Sequence, residues 1–239
     1  MRCRLIVFGR LPRPGCCKTR LAAGVGDIPA ATFYEACLLR TVDEVAACVA
    51  SDSDCSGVLY FSEAADREEL AALLEKHSSD TAAFPLALQL QSSSDLGARL
   101  HAALAQELSE ADCVVVVGSD VPGLTAATLG AAVEALSGPA DVVLGPALDG
   151  GFYLLGLKAA PPDLFADVRW STEHTLADVL RNAAMLRLCI APLSTCPTLR
   201  DVDTSSDLAL FATSDASEGP LRALALDTLA ISAQTATQV

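Results

Sequence analysis

Short apolar runs alternate with longer stretches whose apolar residues recur at helical spacing along this chain of 239 residues. The runs predict strands over Arg2 to Phe8, Val58 to Phe61, Leu86 to Leu90, Cys113 to Val117, Asp141 to Leu144, Gly151 to Leu157 and Leu186 to Ile190. Several lack the polar alternation of a one-sided sheet, which fits parallel strands buried on both faces. Helices are expected over 30–49, with Pro29 near the start, and over 66–76, 95–108, 125–136, 172–184, 205–212 and 218–230. In the fourth segment Thr125 is a plausible N-cap, and in the third Leu96, Leu100, Leu104 and Leu108 form one face. This alternation predicts an α/β fold: a mostly parallel sheet covered on both faces, with ligands at the carboxyl ends of its strands. No Pro-, Gly- or Ser-rich linker and no internal repeat divides the chain. A single domain over 1–230 is expected, with 231–239 as a frayed tail.

Composition narrows the class. Hydrophobic residues make up 51% and aromatics only 5%, so Ala, Leu and Val build the core, as suits layered helices and sheet. No apolar run reaches the length of a bilayer span, and the first strand begins too early for a signal peptide. The nine cysteines, an odd number with no Cys-x-x-Cys pair, read as buried reduced thiols of a cytoplasmic protein. Cys16-Cys17 differs, because Lys18 and Arg20 beside it can lower a thiol pKa.

The net charge of −14 argues against a nucleic-acid-binding surface. The sign is uneven, however. Residues 1–26 hold Arg2, Arg4, Arg10, Arg13, Lys18 and Arg20 and no acid. Four of these cations lie in the loop that follows the first strand, together with Pro12, Pro14 and Gly15. The loop reads as a stiffened anion cradle for a small phosphorylated ligand. It is not a Walker loop: Gly15 lies too early for Gly-Lys-Thr, and the prolines remove backbone donors. Gly24-Val25-Gly26 does not follow a strand directly, so it is no dinucleotide fingerprint.

Two further strand ends carry chemistry. In Gly118-Ser119-Asp120-Val121-Pro122 the carboxylate of Asp120 can hold Mg²⁺ or Mn²⁺ against ligand phosphates, or simply cap the turn before the next helix. In Gly145 to Tyr153 the sequence Asp149-Gly150-Gly151 offers a carboxylate where the backbone permits close approach; Asp-Gly-Gly is also a common hairpin turn. The three dispersed histidines lack zinc-ligand spacing, and no Gly-x-Ser-x-Gly elbow is present.

Taken together, these stretches, with Trp170-Ser171-Thr172 and Asp201 to Leu208, resemble the small GT-A glycosyltransferase-like proteins of the DUF2064 type, in the nucleotide-diphospho-sugar transferase superfamily. The resemblance spans residues 5 to about 211. It implies a GT-A, Rossmann-like three-layer sandwich with a mostly parallel mixed central sheet. It implies that Arg13, Gly15, Lys18 and Arg20 belong to the loop around the nucleotide phosphates, and that Arg99, with Gln91, contributes nearby. Asp120 takes the part of the superfamily's Asp-x-Asp as metal ligand, with Asp203 as the second carboxylate. Asp149, Gly150 and Gly151 would face the transferred group, Asp149 as general base, and Trp170, Ser171 and Thr172 would line the acceptor side. Phe152 stands where a second tyrosine is expected, and the pattern does not account for Cys16-Cys17.

The implied activity is metal-dependent transfer of a glycosyl group from a nucleotide sugar to a small-molecule acceptor. The alternative is a guanylyl- or cytidylyltransferase-like enzyme that uses a nucleoside triphosphate. The Leu-Ala-Gly-Gly-x-Ser-x-Arg-Met-Gly type of loop is missing, but Pro-Gly-x-x-Lys-Thr-Arg resembles the phospholactate guanylyltransferase branch. A non-catalytic nucleotide-binding relative is the third reading. Neither nucleic acid nor a membrane span is expected.

Overall fold

A computed structural model describes residues 1–78, 86–92, 95–214 and 219–236. The sheet has six strands: β1 (Cys3–Gly9), β2 (Cys55–Phe61), β3 (Leu86–Leu90), β4 (Cys113–Gly118), β5 (Val142–Pro146) and β6 (Phe152–Leu157), in the order β3-β2-β1-β4-β6-β5. Strands β1 to β4 are mutually parallel where they pair, and β6 runs antiparallel between β4 and β5. The helices are α1 (Thr19–Val25), α2 (Asp27–Ser51), α3 (Arg67–Ser78), α4 (Leu96–Leu108), α5 (Ala126–Ser137), α6 (Thr175–Met185), α7 (Ser205–Thr213) and α8 (Pro220–Ala236).

Both faces of the sheet are buried, which explains why its central strands read as continuous apolar runs. On one face Leu5, Val7, Leu59 and Val115 pack with Leu38 of α2, Leu74 of α3 and Leu129 of α5. On the other, Ile6, Val58, Val116 and Leu155 pack with Leu104 of α4 and Val179 of α6. This is the expected three-layer α/β sandwich. A third cluster joins α1, α2, α7 and α8 through Leu21, Phe33, Leu208 and Ala225. It fastens the chain's last helices beside the first loop.

Besides starts that fall three residues early in α2 and β2, four features differ from the expected elements. The segment 19–25 forms α1, which its short length hid among the loop residues. Helix α6 begins at Thr175 rather than 172, because residues 170–174 form a separate turn. Leu186 to Ile190 is no strand: Ile190 makes one isolated bridge to Val142, and Cys189, expected to be buried, is exposed. The segment touches only the start of β5, where the N–H groups of Asp141 and Val142 donate to the Cys189 carbonyl and that of Ala191 to the Val142 carbonyl. The last helix runs on to Ala236, past the boundary at 230. Thr125 caps α5 as expected, its side chain accepting from the backbone N–H of Thr128.

Among the described residues no helix is long and apolar enough to cross a membrane. Seven cysteines are buried, and Cys16 and Cys189 are exposed; all nine are free. Because β1 is the middle of the parallel block, Leu5→Ala should cost about 2–5 kcal/mol in urea unfolding, with Leu5 wholly buried at 0% exposure.

Candidate active site

The carboxyl ends of β1 and β4 adjoin the point where the chain's crossovers diverge to opposite sides of the sheet. This is where an open α/β sheet leaves a crevice. A cleft of about 540 Å³ opens there. Its floor includes Phe8, Gly9 and Gly118-Ser119-Asp120, and its rim includes the loop from Cys17 to Arg20, Arg99 and Asp203.

Lys18 is the centre of the arrangement. It precedes α1 in the left-handed region (φ 48°), a conformation that costs a non-glycine residue about 1 kcal/mol or more. Its side chain is only 8% exposed. The ammonium lies 2.9 Å from Asp120 Oδ2 and 2.5 Å from Asp203 Oδ1. Burial works to lower the Lys18 pKa, but the two carboxylates outweigh it and hold the ammonium charged well above the usual lysine range. Arg20 donates to the other oxygen of Asp203 at 2.8 Å. Burial raises the Asp203 carboxyl, Lys18 and Arg20 overcome that effect, and the net shift is downward.

The supports come from distant parts of the sequence. The backbone N–H of Val202 donates to the Asp120 carbonyl at 3.3 Å, which brings 201–203 against the end of β4. Asp207 completes a capping box with Thr204 at the start of α7, and its Oδ2 also accepts from the Asp203 N–H at 3.4 Å. Gly24 lets α1 meet α7: a Cβ there would come within 2.7 Å of Ser205 Oγ. Beneath the loop, the Tyr34 hydroxyl hydrogen-bonds Ser119 Oγ at 2.8 Å and accepts from the Arg10 N–H at 3.1 Å.

The predicted site residues do not all converge here. Lys18, Arg20, Arg99, Asp120, Ser171 and Asp203 line the cleft. Arg13 does not; its guanidinium is held by Asp66 at 3.0 Å and Glu69 at 2.7 Å. Gly15 is also outside the lining and serves the turn, with φ +77°. Gln91 lines the cleft, yet its amide nitrogen binds the carbonyls of Tyr60 (2.9 Å) and Gly9 (3.3 Å) and its oxygen accepts from Arg99 at 3.4 Å. It therefore braces Arg99. Cys17 is buried and its thiol is pushed up by burial, against the lowering expected from its cationic neighbours.

Asp149, Gly151, Trp170 and Thr172 line a smaller adjoining cavity of about 220 Å³, which shares Ser171 with the cleft. Asp149 sits in the turn between the antiparallel strands β5 and β6, so Asp-Gly-Gly is a hairpin turn as well as a cavity edge. Its Oδ1 accepts from the Gly151 N–H at 2.8 Å. Gly150 has φ +88°, and a Cβ there would lie 2.4 Å from the Glu173 carbonyl oxygen. That contact seats the hairpin on the 170–174 turn. The turn is fixed in its own right by Arg169, whose Nε and Nη2 donate to Asp178 at 2.8 and 2.9 Å. The same guanidinium holds the Asp178 carboxyl far below the ordinary carboxylate range.

One acid escaped the sequence reading. Asp201 is half-buried, and burial, followed by the charges of Asp149, Asp203 and Asp120, pushes its pKa up to about 6. Nothing local marks it; only the fold gathers the four acids. Among the described residues no three His, Cys, Asp or Glu side chains are placed to hold a metal ion. The carboxylates that could serve as donors are Asp120 and Asp203, both bound to the Lys18 ammonium. Two hard carboxylates suit Mg²⁺ or Mn²⁺ when ligand phosphates complete the shell.

Two outcomes follow. Gly150→Ala should destabilise the protein by about 2–3 kcal/mol in urea unfolding. For Asp201, the folded chain holds the carboxyl proton more tightly than the unfolded chain. Its contribution is therefore best below the unfolded value and worsens as pH rises toward 6. Asp201→Asn should gain stability over the native chain on the order of 2 kcal/mol at pH 7, shrinking toward zero near pH 4; urea titrations across that range measure it.

Comparison with known proteins agrees with this architecture. Residues 45–172, more than half of the chain, match the family described as "Uncharacterized protein conserved in bacteria (DUF2064)". That span contains Asp120 and Asp149 but neither the Lys18 loop nor Asp203. No curated protein matches the sequence. A provisionally assigned nucleotide-diphospho-sugar transferase from Desulfovibrio desulfuricans G20 is 27% identical over 98% of both chains, with a TM-score of 0.82. A cytidylyltransferase from Leptospira borgpetersenii serovar Hardjo-bovis (strain JB197) is 13% identical, with 99% of this chain and 96% of that one covered and a TM-score of 0.51. CMP:2-keto-3-deoxy-manno-octonic acid synthetase complexed with CTP is 10% identical, with coverage of 95% and 99% and a TM-score of 0.52. The last two bear on the fold alone. The chain thus belongs to the DUF2064 family and carries the GT-A-like α/β fold of the nucleotide-diphospho-sugar transferase superfamily.

Proposed function

We propose that the protein is a transferase that binds the phosphates of a nucleotide sugar at Lys18 and Arg20 and passes the glycosyl group to an acceptor beside Asp149. The observation that carries this reading is the buried Lys18 ammonium at the end of the sheet, bound to Asp120 and Asp203 within a cation-rich cleft. Arg10, Lys18, Arg20 and Arg99 oppose Asp120 and Asp203 in the lining, an excess of two positive charges in a protein of net charge −14. Such a focus of charge attracts a pyrophosphate. The similarity to the provisionally assigned nucleotide-diphospho-sugar transferase supports the same class.

Asp120 and Asp203 would hold Mg²⁺ or Mn²⁺ once phosphate oxygens share Lys18 with them. When bound, that ion supplies further neutralisation of phosphate charge. Lys18 and Arg20 stabilise the charge that develops on the nucleoside diphosphate as it departs with the electron pair of the broken glycosidic bond. The acceptor oxygen bonds to the sugar carbon, and its proton passes to Asp149 Oδ2, the oxygen left over when Oδ1 binds Gly151. Gly150 and Gly151 set the approach of the hairpin, and Trp170, Ser171 and Thr172 form the acceptor side. Arg13 and Gly15 shape the loop without meeting the ligand.

A second reading, nucleotidyl transfer from a nucleoside triphosphate, is favoured by the same charge excess, which a divalent ion would enlarge to suit a longer phosphate chain. Calorimetric titration with GDP- or UDP-sugars and with triphosphates in Mn²⁺ separates the two. Lys18→Ala should weaken nucleotide binding at least tenfold, and Asp120→Ala should abolish its dependence on Mn²⁺. Unchanged titrations in both variants would remove the assignment.

A further inference from the structure

The small cavity next to the cleft differs from it in chemistry. Its walls are Phe8 at the end of β1, Leu96 and Leu100 of α4, Phe152 of β6 and Trp170. Trp170 is held edge-on to Phe152, with ring centroids 6.3 Å apart, and close against Gly97, where a Cβ would come within 2.7 Å of its indole nitrogen. The aromatic wall is therefore rigid.

The polar groups around this cavity are nearly all engaged within the protein. The Tyr153 hydroxyl donates to the Pro197 carbonyl at 2.9 Å. Thr172 Oγ1 donates to the Arg169 carbonyl at 2.7 Å and accepts from the His174 N–H at 3.2 Å. Thr175 Oγ1 lies 2.9 Å from the carbonyls of both Arg169 and Thr172 and accepts from the Thr172 N–H at 3.3 Å. Asp149 Oδ1 is taken by Gly151. Among the side-chain polar atoms of the lining not engaged in this way are Asp149 Oδ2 and the Ser171 hydroxyl, the latter at a residue shared with the phosphate cleft. A sugar brings several hydroxyls, each of which loses water on entry and needs a partner. This cavity cannot supply them. An apolar body with one hydroxyl loses nothing of that kind and gains from burial against Phe152, Trp170 and Leu100.

We infer that the acceptor is an alcohol with a compact apolar or aromatic skeleton, bound in this cavity with its hydroxyl toward Asp149, and that the acceptor is not itself a sugar. The inference rests on the transferase reading for the acceptor's role, and on the cavity lining alone for its chemistry.

Trp170 is the chain's single tryptophan, so its fluorescence reports the cavity directly. The whole protein is titrated with benzyl alcohol and, separately, with glucose, while nucleotide binding is followed by calorimetry on the same preparation. Benzyl alcohol should give a saturable change and glucose none over the same concentrations. Leu96→Gln, at a position already 37% exposed, should weaken benzyl alcohol at least fivefold. Saturation-transfer NMR on benzyl alcohol gives a second reading of occupancy. Saturation by glucose, absence of benzyl alcohol binding, or an unchanged affinity in a folded Leu96→Gln variant overturns the apolar acceptor. If nucleotides bind and benzyl alcohol does not, this inference alone falls. If benzyl alcohol binds and no nucleotide does, the acceptor role falls with the transferase reading.

Discussion

A single buried ammonium connects the first loop of this protein to two acids far away in sequence. Lys18 reaches Asp120 at the end of β4 and Asp203 before α7, and its buried ammonium is balanced by these two partly exposed carboxylates. Removing both carboxylates would leave the desolvated ammonium without compensation, whereas removing one leaves it the other. The strained backbone at Lys18 is held in place by the same contacts. In the proposed function, a ligand's phosphate oxygens would share Lys18 with these carboxylates.

Around that centre the fold places rigid supports. The α1–α7 contact at Gly24, the capping box of Thr204 and Asp207, and the backbone link from Val202 to Asp120 all fix Asp203 relative to the sheet. On the other side of the cleft, Arg169 and Asp178 fix the turn carrying Trp170 and Ser171, and Gly150 seats the Asp149 hairpin upon it. A charged cleft and a mostly apolar cavity thus meet along Phe8, Leu96, Gly118 and Ser171. The division suits a reaction whose donor is recognised by charge and whose acceptor is recognised by shape and the exclusion of water.

Within the candidate site, legibility followed how far each residue's role was local. Lys18, Asp120 and Asp149 stood out because each sits at the end of an apolar run, where a parallel sheet presents its ligands. Arg13 looked equivalent to Lys18 in the basic loop, but the turn before α3 brings Asp66 to it and α3 brings Glu69. Cys17 lies beside cations in sequence, yet burial dominates its thiol. Asp201 was given no role of its own, because its perturbation comes first from burial and then from the charges of Asp149, Asp203 and Asp120, which only folding brings near it.

The sequence by itself determined the layered α/β class, all six strands of the sheet and the long helices nearly in full, since burial on both sheet faces and helical periodicity are written into local residue order. It also determined which strand ends carry charge. The tertiary structure decided what that charge does. It broke the expected strand at Leu186 to Ile190, leaving one bridge to β5, and it turned an apparently free cationic cradle into an ion-pair cluster in which Lys18 and Arg20 meet Asp120 and Asp203. The physical reason is common to both: pairing, whether of backbone or of charge, depends on partners more than a hundred residues away or on a neighbouring strand edge, and only folding brings them within reach.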